Sequence, residues 1–201
     1  LWAMFAKGPV DFPVKVTPID YAANAAVSQG AAEESLVLLK NEGDLLPLRG
    51  VKSIAVIGGN ADKGVLAGAG SSDVTPVGGA VMIDPHTYLP SPPLDALTRE
   101  LPKARIGFDT GADPAAAAAL AAQSDVAIVF LNQHLSEGSD HALELTGNQD
   151  ALVAAVAKAN PKTIVVAETG GAIYMPWGNQ VATILEAFYP GIRGGSAIAR
   201  I

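Results

Sequence analysis

Five short apolar runs recur along the 201-residue chain, and they constrain the fold more than any other feature of the sequence. They cover residues 53–57, 105–108, 126–131, 163–167 and 181–185. Each run is continuous rather than alternating, which is typical of parallel strands covered on both faces. Because helical patterns lie between the runs, the sequence predicts an α/β fold, a three-layer, doubly wound sandwich around a mostly parallel sheet of about five or six strands.

Capping residues predict where the helices begin. Four positions combine a capping side chain with a helical pattern after it. Asp20 is predicted to begin a helix that runs to about residue 40, and Thr146 opens a capping box with Gln149 and a helix to about residue 159. Two more helices are predicted to begin where Ser91 precedes Pro92 and where Asp113 precedes Pro114. A last helix is predicted over residues 193–201.

Composition excludes several classes of partner and site. The net charge of -7 argues against nucleic acid or an anionic membrane as the main partner, since both require basic patches. The chain has no cysteine, so disulfides and thiolate metal sites are excluded. No apolar run approaches the roughly 18 residues that a membrane span needs. Both ends look cut from a longer protein, and localisation cannot be read from the sequence.

A long glycine-rich segment over residues 58–91 follows the first predicted strand and shows no helical pattern. Loops of this length in compact domains are usually functional. Its centre is made of small and polar residues: Gly68, Gly70, Ser71, Ser72 and Asp73. A dinucleotide-binding loop would need a third glycine where Asp73 stands and a helix after it, and there is no Walker lysine. We therefore disfavour nucleotide binding and expect a loop that shapes a cleft.

An acidic segment over residues 136–141 directly follows the third predicted strand. Ligands of open α/β sheets bind beyond the carboxyl ends of the strands, so Glu137 is expected to face the glycine-rich loop. A carboxyl group desolvated in such a cleft has a raised pKa and can donate a proton to a leaving oxygen. The alternative is a solvated loop acid, and Asp140 and Glu168 are competing candidates for the acid.

Two other groups of side chains admit more than one interpretation. His134, Glu137 and His141 have the spacing of a metal site on a helical face, but Gly138 argues against a helix, and polar loop residues are the better interpretation. Trp177 and Tyr174 could face a sugar ring, although packing in the core or at its edge is at least as good an explanation.

Several segments in sequence order resemble family 3 glycoside hydrolases, the β-glucosidase family. These segments are residues 32–42 with 45–48, 53–58, 68–76, 136–149, 175–177, 189–191 and 194–199. The loop Ser136-Glu137-Gly138-Ser139-Asp140 is similar to the Glu-Gly-x-Asp-Arg motif of the family. Two positions depart from that pattern: His141 stands where arginine is usual, and Thr146 where proline is frequent.

The resemblance implies a division of labour between two domains. Residues 1–19 would be the end of a preceding (β/α)8 barrel and a linker, and residues 20–201 would be the α/β sandwich, truncated at its C-terminal end. The barrel would supply an aspartate nucleophile, and Glu137 would be the general acid/base of a retaining hydrolase acting on terminal β-linked glucosyl residues.

The resemblance also implies which residues bind the substrate, a β-glucoside or oligosaccharide, without metal or cofactor. These are Gly68, Gly70, Ser71, Ser72, Asp73 and Asp140. The fragment alone is then expected to be inactive, because it lacks the nucleophile. The alternatives are a non-catalytic sugar-binding or barrel-supporting domain, and a flavodoxin-like cofactor binder.

Overall fold

A six-stranded sheet forms the centre of the computed structural model, which describes residues 1–8, 17–68, 70–72, 91–138 and 140–201. The strands are β1 (Val37–Asn41), β2 (Ser53–Ile57), β3 (Arg105–Asp109), β4 (Val126–Asn132), β5 (Thr163–Glu168) and β6 (Thr183–Glu186). Their order across the sheet is β1-β6-β5-β4-β2-β3. All neighbouring pairs are parallel except β1 with β6. The predicted α/β fold is confirmed.

Helices cover both faces of the sheet. They are α1 (Trp2–Ala6), α2 (Tyr21–Ser35), α3 (Pro93–Glu100), α4 (Pro114–Ala122), α5 (Gln149–Ala159) and α6 (Gly194–Ile198). One core cluster joins a sheet face to α4 and α5, and a second joins the opposite face to α3 and α6. The apolar side chains of β2, β4 and β5 are buried on both faces, which explains their continuous apolar runs.

The strand order reverses between β2 and β4, and this reversal positions the site. From β2 the chain moves outward to β3, then returns past β2 to place β4, β5 and β6 on the other side. The loop after β2 leads to α3 on one face, whereas the loop after β4 leads to α5 on the other. Such a divergence leaves a crevice at the carboxyl ends of the two strands.

The five predicted strands are present, but β1 was not predicted. The helix expected to reach residue 40 ends at Ser35, Leu36 is extended, and Val37–Asn41 pairs with β6. In the sequence, alanine-rich α2 and the following Val37-Leu38-Leu39 form one continuous helical pattern of apolar residues. Pairing with a distant strand decides the outcome, since strand formation depends strongly on tertiary context.

The capping predictions are right for two helices and wrong for two. Asp20 accepts a hydrogen bond from the Ala23 N–H, and Asp113 accepts one from Ala115, each at 2.9 Å. Helix α3 instead begins at Pro93 with Pro92 as its N-cap residue, and the Ser91 hydroxyl is buried against that of Ser196 at 2.7 Å.

Helix α5 begins at Gln149, three residues after Thr146, the residue predicted to cap it. Asn148 is its N-cap residue and makes no side-chain capping bond. The Gln149 amide binds the main chain of Asn132 instead, accepting from its N–H at 2.8 Å and donating to its carbonyl at 3.0 Å. The last helix is also shorter than predicted, ending at Ile198. Within the described part of the chain, no helix is long and apolar enough to cross a membrane.

Candidate functional site

The loops after β2 and β4 meet at Glu137. The backbone N–H of Ser71 donates a hydrogen bond to Oε2 of Glu137 at 2.9 Å. Gly70 makes this approach possible, because a Cβ at its position would lie 2.8 Å from the Glu137 Cβ. Gly70 also has a φ of +79°, which side-chain-bearing residues rarely adopt. The expected convergence of the glycine-rich loop and the acidic loop is therefore present.

The Glu137 side chain is exposed, and its pKa is lowered rather than raised. Hydrogen bonds from the Ser71 side chain and from the Ser71 backbone N–H stabilise the carboxylate and lower the pKa of Glu137, which outweighs slight desolvation. The raised pKa that the sequence suggested for Glu137 is thus wrong for this chain on its own, because the crevice leaves the carboxylate open to solvent.

The remaining predicted site residues lie along the same two loops. Gly68 is buried, Ser71 is exposed, and the backbone of Ser72 closes a short 3-10 turn that begins at Gly70. Asp140 is exposed beyond Gly138, whose φ of +73° turns the chain sharply after Glu137. Asp73 lies outside the described residues.

The histidines do not form a metal site with Glu137. Both His134 and His141 are exposed, and the ring of His141 lies 3.5 Å from the Ser136 N–H. No group of three potential metal ligands occurs among the residues that the structure describes. The interpretation of these histidines as polar loop residues fits their positions.

Tyr189 braces the segment between β4 and Glu137. Its hydroxyl donates to the carbonyl of Gln133 at 2.6 Å and accepts from the N–H of Leu135 at 2.9 Å. Tyr189 follows β6, so this contact joins the exits of two strands. Residues 189–191 belong to a segment that resembles the family, but nothing in the local sequence indicates which main-chain groups the Tyr189 hydroxyl will reach.

Two carboxyl groups are buried at the ends of β5 and β6. Glu168 is 0% exposed, and neither of its carboxyl oxygens has a hydrogen-bond partner in satisfactory geometry among the described residues. Burial raises the pKa of Glu168 to about 8. The nearby backbone N–H of Val65 lowers this pKa in part, and the Glu186 carboxylate raises it further. Of the acidic candidates, Glu168 thus has the environment expected of a neutral acid, but it is closed to solvent.

Glu186 is the second buried carboxyl group, and it is hydrogen bonded. Its Oε1 accepts from the Phe188 N–H at 2.9 Å and from the Thr169 hydroxyl at 3.1 Å. Burial raises the pKa of Glu186 despite these bonds. The sequence signal for both residues is the same, a glutamate that ends an apolar run.

The two aromatic candidates for sugar stacking differ in position. Trp177 is 1% exposed, belongs to the core cluster with α4 and α5, and donates from Nε1 to Asp150 at 2.8 Å. Packing is therefore the correct interpretation for Trp177. Tyr174 is 59% exposed and lies at the surface.

Comparison with known proteins assigns the family. Residues 36–201 match the family described as the glycosyl hydrolase family 3 C-terminal domain. The chain belongs to this family. This family 3 chain is 34% identical, over 90% of its length, to thermostable β-glucosidase B of Acetivibrio thermocellus. It is also 34% identical, over 90% of its length, to an exo-α-(1→6)-L-arabinopyranosidase of Bifidobacterium longum.

Solved structures show the same fold. A family 3 β-glucosidase of Bifidobacterium adolescentis superposes with a TM-score of 0.79 at 30% identity, covering 100% of this domain and 30% of that chain. A β-glucosidase of Streptomyces venezuelae in complex with D-glucose superposes with a TM-score of 0.86 at 23% identity, covering 99% of this chain and 39% of that chain. At this identity the likeness supports the fold alone. The domain spans about a quarter of the length of the two curated relatives, 25% and 26%.

Proposed function

We propose that this domain supplies the general acid/base of a retaining β-glycosidase that hydrolyses terminal β-linked glucosyl residues, with Glu137 in that role. The observation that carries the proposal is the Ser71–Glu137 hydrogen bond, which holds a carboxylate at the carboxyl edge of the sheet beside the strand-order reversal. Membership of family 3 and its β-glucosidase relatives support this choice of reaction and substrate.

Retaining hydrolysis needs a second carboxylate about 5–5.5 Å from the acid. We place this nucleophile on a (β/α)8 barrel domain that precedes residues 20–201, with residues 1–19 as its end and the linker. Glu137 would protonate the glycosidic oxygen while the nucleophile forms the glycosyl-enzyme intermediate. It would then accept a proton from the water that hydrolyses this intermediate.

The lowered pKa of Glu137 defines what the rest of the enzyme must supply. A general acid must carry its proton at the working pH, whereas Ser71 stabilises the ionised form in this domain. Desolvation by the barrel and by bound sugar would raise the pKa of Glu137. Gly68, Gly70, Ser71, Ser72, Asp73 and Asp140 would line the sugar site, and the domain alone would not turn over substrate.

The test is Glu137→Gln in the complete enzyme, assayed with aryl β-glucosides of graded leaving-group ability. Substrates that need protonation should lose about 10²- to 10⁴-fold in kcat/KM, and those with good leaving groups much less. Azide should restore turnover and yield a glycosyl azide, because it attacks the intermediate without general-base assistance. Glu144→Gln, an exposed change in the same loop, is the matched control and should be silent.

A non-catalytic accessory domain is the competing function, and the exposed, ionised state of Glu137 is what a solvated loop acid would show. Under that alternative, Glu137→Gln and Glu144→Gln would behave alike with every leaving group. That result would overturn the proposal.

A further inference from the structure

We infer that Tyr189 is a positioning residue for proton transfer by Glu137, because its hydroxyl holds the backbone that leads from β4 to the acid. The inference rests on the function proposed for Glu137. Tyr189 itself would not contact the reacting atoms. Its effect would pass through the main chain over residues 133–137.

The hydroxyl replaces strand pairing where β4 ends. Just after β4, a sheet-like bond runs from the Gln133 N–H to the carbonyl of Glu168 at 3.2 Å. Beyond that bond, the Tyr189 hydroxyl holds the main chain. It donates to the Gln133 carbonyl at 2.6 Å and accepts from the Leu135 N–H at 2.9 Å. One hydroxyl therefore uses a donor and an acceptor site to hold two main-chain groups, the nearer only two residues before Glu137.

The position of Tyr189 is in turn fixed by the exits of β5 and β6. The preceding residue, Phe188, has a φ of +54°, and its N–H binds Oε1 of Glu186 at 2.9 Å. The same oxygen accepts from Thr169 at 3.1 Å, so the buried Glu186 carboxyl ties both exits together. Positive φ at a phenylalanine costs free energy and persists only when its surroundings hold it.

Gly170 leaves the space that this arrangement needs. A Cβ at Gly170 would lie 2.8 Å from the Tyr189 hydroxyl oxygen and 2.9 Å from Cδ1 of Leu135. The tyrosine ring, the β5 exit and the Leu135 side chain are therefore in close contact. Three strand ends converge on the segment that carries Glu137.

Tyr189→Phe keeps the ring and its packing but removes both hydrogen bonds. The Gln133 carbonyl and the Leu135 N–H then lose their partner, and the segment before Glu137 becomes less constrained. Misplacement of a reacting group by about 1 Å can cost on the order of 10²-fold in rate. We expect kcat/KM to fall about 10- to 100-fold with substrates that need protonation and to change little with good leaving groups.

The experiment compares Tyr189→Phe, the control Glu144→Gln and Glu137→Gln in the complete enzyme. Amide hydrogen exchange at Leu135 and Ser71 is followed alongside kinetics. A loss of kcat/KM that depends on the leaving group, with faster exchange at both amides, supports the inference. Glu144 is exposed and has no part in the proposed site, so its substitution should change neither readout.

Three results would overturn the inference, and they are distinguishable. If Glu137→Gln loses turnover but Tyr189→Phe behaves as the parent, only the positioning role fails. If Tyr189→Phe slows all substrates equally, its role is structural and not specific to proton transfer. If Glu137→Gln leaves turnover intact, the proposed function itself fails, and the positioning role fails with it.

Discussion

Ser71 and Glu137 are 66 positions apart in the chain, yet the N–H of one donates to the carboxylate of the other at 2.9 Å. This bond joins the loops after β2 and β4 across the crevice where the strand order reverses. Together with a hydrogen bond from the Ser71 side chain, which has the larger effect, it lowers the pKa of Glu137. The ionisation of the proposed acid is thus controlled by the backbone conformation of the opposite loop.

Gly70→Ala should separate the two loops and raise the pKa of Glu137 toward its ordinary value. The new methyl group would meet the Glu137 Cβ at 2.8 Å, and alanine disfavours the φ of +79°. The pKa of Glu137 can be followed by NMR titration of its side-chain carboxyl carbon. Gly59→Ala is the matched control, since the nearest atom to its added Cβ is 3.9 Å away. An unchanged Glu137 pKa in Gly70→Ala would contradict the dependence on this glycine.

Two helical glycines should respond to alanine in opposite directions. A Cβ at Gly195 in α6 would lie 2.1 Å from the Ser91 carbonyl oxygen and 2.6 Å from backbone atoms of Pro92 and Pro93. Gly195→Ala should therefore lower the free energy of unfolding by about 1–3 kcal/mol or more. Gly30 in α2 has nothing within 4 Å, so Gly30→Ala should raise it by about 0.5–1 kcal/mol. Urea unfolding measures both, and equal effects would contradict the tight contact between α3 and α6.

Glu168 should make the stability of the domain fall as pH rises. Burial raises its pKa from 4.5 to about 8, so the folded domain retains a proton that the unfolded chain releases. The contribution is complete below about pH 4.5, declines between about pH 4.5 and 8, and is lost above that range. Each unit of pKa difference corresponds to about 1.4 kcal/mol, so the decline should amount to several kcal/mol.

Glu168→Gln should make this decline shallower, because the amide stays neutral at every pH, and the part due to the raised pKa of Glu186 should remain. Unfolding free energies at several pH values between 4 and 9 measure the difference. Glu100→Gln is the control, since Glu100 is exposed at the end of α3 and the change should leave the slope as it is. A slope that Glu168→Gln does not alter would show that another group takes up the proton.

The central strands could be predicted from the sequence because burial on both faces imposes a local signal. Strand β1 could not, since Val37, Leu38 and Leu39 suit a helix or a strand equally well. Contacts with residues far along the chain select the strand. Strand β1 pairs with β6, and the Lys40 ammonium donates to the carbonyls of Val181 at 2.6 Å and Gly178 at 3.0 Å. Propensity alone does not contain this information.

The site was predictable in position but not in electrostatics. Glu137 could be located because it follows a buried strand and precedes Gly138. Its pKa could not be inferred, because it depends on how closely the opposite loop approaches. The burial of Glu168 likewise depends on packing against the segment near Val65, about a hundred residues earlier. The hydrogen bonds from Tyr189 to the segment after β4 depend on the turn after β6, so no sequence pattern near Tyr189 indicates them.

The antiparallel pairing of β1 with β6 joins the first and the last of the strands that the structure describes. The contact between Lys40 and Val181 closes a loop of 141 residues. Contacts so distant in sequence slow folding, because the chain loses much entropy before they form. During synthesis β1 leaves the ribosome long before its partner, so this edge of the sheet can be completed only after the chain has been translated as far as Glu186.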